Sequence, residues 1–259
     1  MNIDLSGQQV VVTGAANGIG SAIVHQFIES GASVTAVDVD SEALSDLSSA
    51  FSERLTQKVL DITDLAGLTV LASKLEIDHL VCAAAVGSGK GGFPFWNLEP
   101  SDWDRVLDVT LMGTVRTLHT FVPPLLRGDT DRKSVSLIAS VAGQIGSQTD
   151  PPYSAAKAAL INFAQCAAKD FAEYGIRVNT ISPGMVQTKL NQSVFEANRG
   201  SKEKTFEEWG REKVLQVSPL GRWQEASEIA AMTVYLASEF ARNVTGQTLN
   251  VDGGQVMHS

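Results

Sequence analysis

Tyr153 and Lys157 stand four residues apart in the stretch Pro-Pro-Tyr-Ser-Ala-Ala-Lys-Ala-Ala-Leu, residues 151–160. Side chains four apart on a helix stack on one face, one turn above the other. The phenol and the ammonium would therefore share a surface. A phenol ionises near pH 10, and a neighbouring cation favours its ionised form. Such a pair can move a proton to or from an oxygen atom. The spacing also fits a plain surface helix with a chance pair, so the decision rests on the rest of the chain.

A second cluster is Thr-Gly-Ala-Ala-Asn-Gly-Ile-Gly, with Gly14, Gly18 and Gly20 between a short Val-rich run and a helical pattern. Glycines there let the backbone turn sharply and approach a diphosphate, which the free N–H groups and dipole of a helix N-terminus favour. The alternative is a tight turn with no ligand. The spacing is Gly-x-x-x-Gly-x-Gly, not the commoner Gly-x-Gly-x-x-Gly. Asp38 follows eighteen residues after Gly20, where a carboxylate at a strand end accepts the ribose hydroxyls of NAD and repels the extra phosphate of NADP. Ala15, Ala16, Asn17 and Val39 offer no cation for that phosphate, which favours NAD over NADP; a turn aspartate is the plainer reading.

The elements that must position these residues alternate. Strand-like runs (QQVVVTG, SVTAVDVD, QKVLDI, DHLVCAAA, KSVSLIAS, IRVNTISPG, QTLNVDGG) are separated by helical patterns, among them Ile19, Ile23 and Phe27, a set from Ala43 through Ala50 and Phe51, a long stretch from about Ser101 to Leu126, the run from Tyr153, and residues 225–238. That alternation predicts an α/β fold, a Rossmann-like doubly wound parallel sheet of about seven strands with helices on both faces. No linker divides it, so one nucleotide-binding domain is expected over residues 1–259. Two segments break the rhythm. One is the Gly-rich stretch with Phe93, Phe95 and Trp96, which form an apolar wall or anchor their loop. The other is the polar segment around 187–218, read as a substrate lid packed down by Trp209.

Composition narrows the partners. The 259 residues carry a net charge of −9, which argues against nucleic acid or an anionic membrane as the main partner. No apolar run approaches membrane-spanning length and no signal peptide precedes the first strand, so a cytoplasmic location is expected. The four histidines show no metal-ligand spacing, and Cys82 and Cys166 sit in apolar surroundings that suggest core packing.

Taken together, these motifs resemble the short-chain dehydrogenase/reductase family, single-domain type. The resemblance covers the whole chain: the glycine turn, Asp61-Ile62, the Ile-Ala-Ser-Val-Ala-Gly run with Ser140, Tyr-Ser-Ala-Ala-Lys, Ser-Pro-Gly-Met-Val-Gln-Thr, and the closing Gly-Gln-Thr-Leu-Asn-Val-Asp-Gly-Gly. It implies hydride transfer between a nicotinamide and a secondary alcohol or ketone. Tyr153 would exchange the proton, Ser140 hold the substrate oxygen, and Lys157 favour the phenolate and bind the nicotinamide ribose. Gly14, Asn17, Gly18, Ile19, Gly20, Asp38, Asp61, Ile62 and Ala84 would contact the cofactor, as would Pro183, Gly184, Val186 and Thr188.

Two departures stand out. Ala83, Ala84 and Ala85 replace an Asn-Asn-Ala-Gly-like sequence and cannot supply its side-chain amides. Thr110 stands where the family commonly carries a site asparagine that organises a proton-relay water; it is either a substitute in the site or a plain helix residue.

Gln144, Ser147, Gln148, Thr149 and Asp150 form a polar loop before Tyr153. Either they reward a polyol, sugar or hydroxy-ketone, or they are a solvated loop. A carbonyl reductase of the oxoacyl type and a non-catalytic NAD-binding scaffold are the rival readings. The helix from Tyr153 is apolar beyond one stripe (Ala156, Leu160, Ile161, Phe163, Ala164, Ala167, Ala168, Phe171), which predicts a homo-oligomer, a tetramer or dimer.

Overall fold

Valines crowd β1 (Gln9–Thr13), and Val10, Val11 and Val12 are fully buried there. A computed structural model describes residues 3–48, 53–90, 94–127, 132–146, 150–198 and 205–257. Similar apolar runs form β2 (Ser33–Asp38), β4 (His79–Cys82), β5 (Ser134–Ile138) and β6 (Arg177–Pro183), with β3 (Leu55–Val59) and β7 (Thr248–Val251) at the two edges. All pairings are parallel, in the order β3-β2-β1-β4-β5-β6-β7. Parallel neighbours need crossover connections, and helices supply them.

The crossovers cover both faces, as the alternation predicts. Helix α1 (Gly18–Glu29) and helix α9 (Ala226–Ala237) pack Ile23, Val24, Phe27, Ile229 and Val234 with Val10 and Val12. On the opposite face α3 (Leu65–Ala72), α5 (Thr114–Leu126) and α6 (Pro151–Phe171) pack Leu68, Phe121 and Phe171 with Val11, Val135 and Val178. The two-residue strand period thus divides the β1 valines between two cores. Helix α2 (Ser41–Ser48) lies by β2 and β3; Ala50 and Phe51 fall outside the described residues.

Three local outcomes differ from expectation. The stretch from Ser101 to Leu126 is helical throughout but not uniform: α4 (Pro100–Val106) runs into a π-helical segment, Leu107–Gly113, before α5. The polar segment holds two amphipathic helices, α7 (Lys189–Asn198) and α8 (Phe206–Val217). Its weak periodicity reflects helices with a small apolar contact, since Phe195, Phe206, Trp209 and Trp223 cluster at ring separations of 5.6–5.8 Å. Trp209 packs on Phe195 and Phe206 within the segment, and Phe206 in turn reaches Trp223 outside it. Cys82 is buried as expected, but Cys166 is exposed on α6 because its side of the helix turns away from the sheet. Among the described residues no helix is long and apolar enough to cross a membrane.

Candidate active site

Between β1 and β4 the strand order reverses, and loops on either side of that point diverge to leave a crevice at the strands' carboxyl ends. A cavity of about 750 Å³ opens there. The glycine turn forms its floor. Gly14 and Gly18 hold φ of +67° and +53°, a left-handed region that favours glycine. A side chain on Gly14 would collide with the backbone of Ala84, and one on Gly20 with the carbonyl of Gly14. Gly14, Asn17, Gly18, Ile19, Gly20 and Ala84 all line the cavity, and α1 begins there. Bare backbone, close approach and a helix N-terminus make a cradle that fits a diphosphate.

Asp38 lies at the edge of this cradle. Its carboxylate accepts from the Ala16 N–H at 2.9 Å and the Asp40 N–H at 3.1 Å, which fixes its orientation. Asp40 accepts from the Asn17 amide at 3.2 Å and from the Ala43 N–H at 3.0 Å. These bonds hold the Asp40 carboxyl below its ordinary range. Two carboxylates therefore stand together at this end of the cavity, and Lys189 lines the same stretch with its field on Asp40. Asp61 and Ile62 form the adjoining wall, and Ile62 presses on Gly113, where a Cβ would lie 2.5 Å from its terminal carbon.

Ser140, Tyr153 and Lys157 meet on the far side of the same cavity. Ser140 follows the end of β5 by two residues, in extended backbone, and accepts from the Ala142 N–H at 3.1 Å. Its loop is keyed to α6 twice. A Cβ on Gly143 would sit 2.6 Å from the Lys157 carbonyl carbon and 2.7 Å from the Ala158 nitrogen, and the Ser154 hydroxyl donates to the Ala142 carbonyl. Gly143 thus fixes the distance between the serine loop and the tyrosine helix. The glycine closing the Ile-Ala-Ser-Val-Ala-Gly run was the available signal for it.

Lys157 is buried, donates to the Ile138 carbonyl at 2.6 Å, and lies 5.5 Å from the centre of the Tyr153 ring. The resemblance ties the phenolate to Lys157 and the positive nicotinamide of bound NAD together; the protein's own surroundings work against it. Burial pushes Tyr153 up to about 12 and the Asp150 charge adds to that, while a hydrogen bond from Ser140 opposes both. Burial also brings Lys157 down to about 7, the Cys82 side chain opposing it.

The polar loop is redistributed. Gln144 exchanges two side-chain hydrogen bonds of 2.8 Å with Asn250, so its amide serves the C-terminal segment. Ser147, Gln148, Thr149 and Phe93 lie outside the described residues. Phe95 and Trp96 are 61% and 72% exposed, pack edge to face on each other and do not line the cavity, so they form no wall of it. Asp150 precedes α6 without capping it. One carboxylate oxygen accepts from the Ser88 N–H at 2.8 Å, and the other has no hydrogen-bond partner, although Asp150 lines the cavity.

Thr110 does not line the cavity. It is fully buried in the π-helical segment, where its hydroxyl accepts from the Val86 N–H at 3.1 Å and donates to the Val86 carbonyl at 3.2 Å. The π turn instead presents Val109 to the cavity. Pro183, Gly184, Val186 and Thr188 line the wall after β6, and the Asn191 amide braces that wall by donating to the Val186 carbonyl at 2.6 Å. Asn191, Arg105, Lys189 and Lys213, none singled out by the sequence motifs, line the cavity too.

A doubly wound sheet with a glycine cradle at its switch point, and a Ser-Tyr-Lys set of which Lys157 is buried and Ser140 and Tyr153 are half-buried, defines a dinucleotide-dependent oxidoreductase. A family model described as enoyl-(acyl carrier protein) reductase matches residues 14–256. The chain belongs to the short-chain dehydrogenase/reductase family, which binds a nicotinamide cofactor and acts on small molecules. It is 30% identical to the 3-oxoacyl-[acyl-carrier-protein] reductase FabG of Thermotoga maritima, across 98% of this chain and 99% of that one. Among solved structures it is similar to a glucose/ribitol dehydrogenase from Brucella melitensis, with a TM-score of 0.87, 26% identity and 100% of both chains covered. It is also similar to a variant of actinorhodin polyketide ketoreductase solved with NADPH, with a TM-score of 0.88, 28% identity and coverage of 96% and 97%.

Proposed function

We propose that this protein is an NAD-dependent oxidoreductase that interconverts a secondary alcohol and a ketone on a polar, hydroxylated small molecule. The observation that carries this reading is one cavity with a fixed carboxylate, Asp38, at one end and Ser140, Tyr153 and Lys157 at the other. Asp38 and Asp40 accept ribose hydroxyls and repel a 2′-phosphate. The bound nicotinamide supplies the chemistry of hydride acceptance or donation.

The chain's own residues handle the oxygen and the proton. Ser140 donates to the substrate oxygen and holds it beside Tyr153. With its ionisation pushed up to about 12, Tyr153 is neutral at pH 7. It is therefore a ready proton donor to a ketone, while alcohol oxidation needs the small ionised fraction and accelerates as pH rises. Lys157, held by the Ile138 carbonyl, places its charge against the Tyr153 ring and toward the ribose. Helices α7 and α8 form the lid, and the apolar side chains of α6 left half-buried in the single chain, Ile161 and Phe163, support a homo-oligomeric assembly.

A polyhydroxylated substrate is supported by the unsatisfied carboxylate of Asp150 beside Tyr153 and by the ribitol named for the Brucella neighbour. An oxoacyl reductase using NADPH is the second reading, supported by the acyl-carrier substrate named for the Thermotoga relative and the NADPH named for the ketoreductase. Initial rates of NADH or NADPH turnover over polyols, sugars, secondary alcohols and oxoacyl thioesters separate the two. Turnover of polyols with NAD is expected, and Asp38→Ala should erode the preference for NAD over NADP by at least about tenfold, the equivalent of one charged hydrogen bond. Turnover confined to oxoacyl thioesters with NADPH would overturn the reading.

A further inference from the structure

Four cations line the cavity: Lys157, Arg105, Lys189 and Lys213. Lys157 is committed to the Ile138 carbonyl. Lys189 is exposed and its field falls on Asp40. Arg105 is exposed on α4 and well hydrated. Lys213 is the exception. It is partly buried on the inner side of α8, and no carboxylate among the described residues lies within ion-pair distance of it.

The missing acid is not what distinguishes Lys213, since ion pairs between described residues are few (Lys90–Asp102, Arg116–Asp108 and Arg222–Glu228); its partial burial and its ring contact are. Lys213 holds its ammonium 5.0 Å over the Trp209 ring, and Trp209 is itself wedged between Phe195 and Phe206. A ring face steadies a cation without neutralising it. Burial brings the Lys213 ammonium below its ordinary value, with no opposing charge to restore it. A partly desolvated, unpaired charge is costly unless a ligand completes it, and this one faces the cavity beside Asn191 and Ser193.

We propose that Lys213 is a specificity-determining residue that receives a carboxylate carried by the substrate, so that the preferred substrates are hydroxy acids and their keto acids rather than neutral alcohols. The inference rests on the oxidoreductase reading above and narrows its substrate class. The lid supplies this recognition: α8 carries the cation, and the aromatic cluster joining α7 to α8 fixes where it points. The other anion that enters this cavity is the cofactor diphosphate, and the test separates the two.

The experiment measures kcat and KM with NAD for a series of three- to six-carbon hydroxy acids, sugar acids included, each beside its own carboxamide. It compares the wild-type protein with Lys213→Met, which keeps the packing on Trp209, and with Lys213→Arg, which keeps the charge. NADH affinity is followed by fluorescence in all three. The wild type should prefer acid over amide by about 10- to 100-fold in kcat/KM, as a charge-assisted hydrogen bond allows. Lys213→Met should bring that ratio to about one, mainly through KM, and Lys213→Arg should restore most of it, with NADH affinity alike throughout. A wild-type ratio near one, or a ratio that Lys213→Met leaves intact, would overturn the inference alone. Weaker NADH binding in Lys213→Met, by the same factor as the loss on acids, would assign Lys213 to the cofactor and overturn it too. No turnover of any acid, amide or polyol with either coenzyme would overturn the oxidoreductase reading and this inference with it.

Discussion

Replacing Thr110 by valine tests whether this residue positions the cavity wall or relays protons. Valine keeps the shape and removes the hydroxyl. The hydroxyl closes both polar groups of Val86, at 3.1 Å to its N–H and 3.2 Å to its carbonyl. Thr110 is fully buried, so the variant leaves two backbone groups short of a partner in a site where the side chain excluded water. Each such group costs about 1–3 kcal/mol. A combined loss of about 2–6 kcal/mol is therefore expected. For a chain of this size each kcal/mol moves the melting temperature by about 2–4 °C, so a fall on the order of 5–25 °C should follow. Val86 itself lines the cavity, and Ala84, two residues before it, touches Gly14. Release of this loop should therefore weaken NADH binding as well. Urea unfolding, thermal melting and NADH fluorescence titration of Thr110→Val against wild type measure all three. A variant that melts with the wild type and binds NADH equally, yet loses kcat at saturation with an altered solvent isotope effect, would refute positioning and restore the relay.

Two further outcomes follow from charges placed by the fold. The Asp150 carboxylate helps push Tyr153 up, so Asp150→Asn should let the phenol ionise at lower pH and move the rising limb of the alcohol-oxidation profile of kcat/KM toward acid; an unmoved limb would separate Asp150 from the tyrosine. His79 is buried between Ser134, at 2.9 Å from Nδ1, and the Gln8 amide oxygen, at 2.5 Å from Nε2, and burial brings it down to about 4. The oxygen of Gln8 only accepts, so Nε2 carries the proton and Nδ1 accepts from Ser134. The unfolded chain takes up a proton near pH 6.5 that the folded chain refuses until about pH 4. Stability is thus full above pH 6.5 and declines as pH falls, by about 3 kcal/mol at the lower limit. Urea unfolding between pH 7 and 4 should show a shallower decline in His79→Gln than in wild type, and equal declines would exclude His79 as the source.

What was legible in the sequence was whatever the backbone dictates locally. Alternating β-branched runs and helical spacing give the seven-strand sheet, because a parallel strand buried on both faces must be apolar in a short unbroken run. Gly14 and Gly20 were legible because a side chain at either would strike backbone. Tyr153 and Lys157 were legible because helical spacing alone sets them on one face. What depended on long-range contact was not. Thr110 reads as a site residue by position, yet a π turn, which has no spacing signature, swings it onto Val86 and gives its place to Val109. Gln144 reads as a substrate group, but its partner Asn250 is 106 residues away. The ionisation of Tyr153 depends on contacts of the same kind: a neighbouring lysine is visible in the sequence, while the burial that brings that lysine down to about 7 and the phenol up to about 12 belongs to the assembled core. Lys213 makes the point from the other side. Its place over the Trp209 ring and beside the cavity comes from the packing of α8, which no residue spacing in the sequence announces.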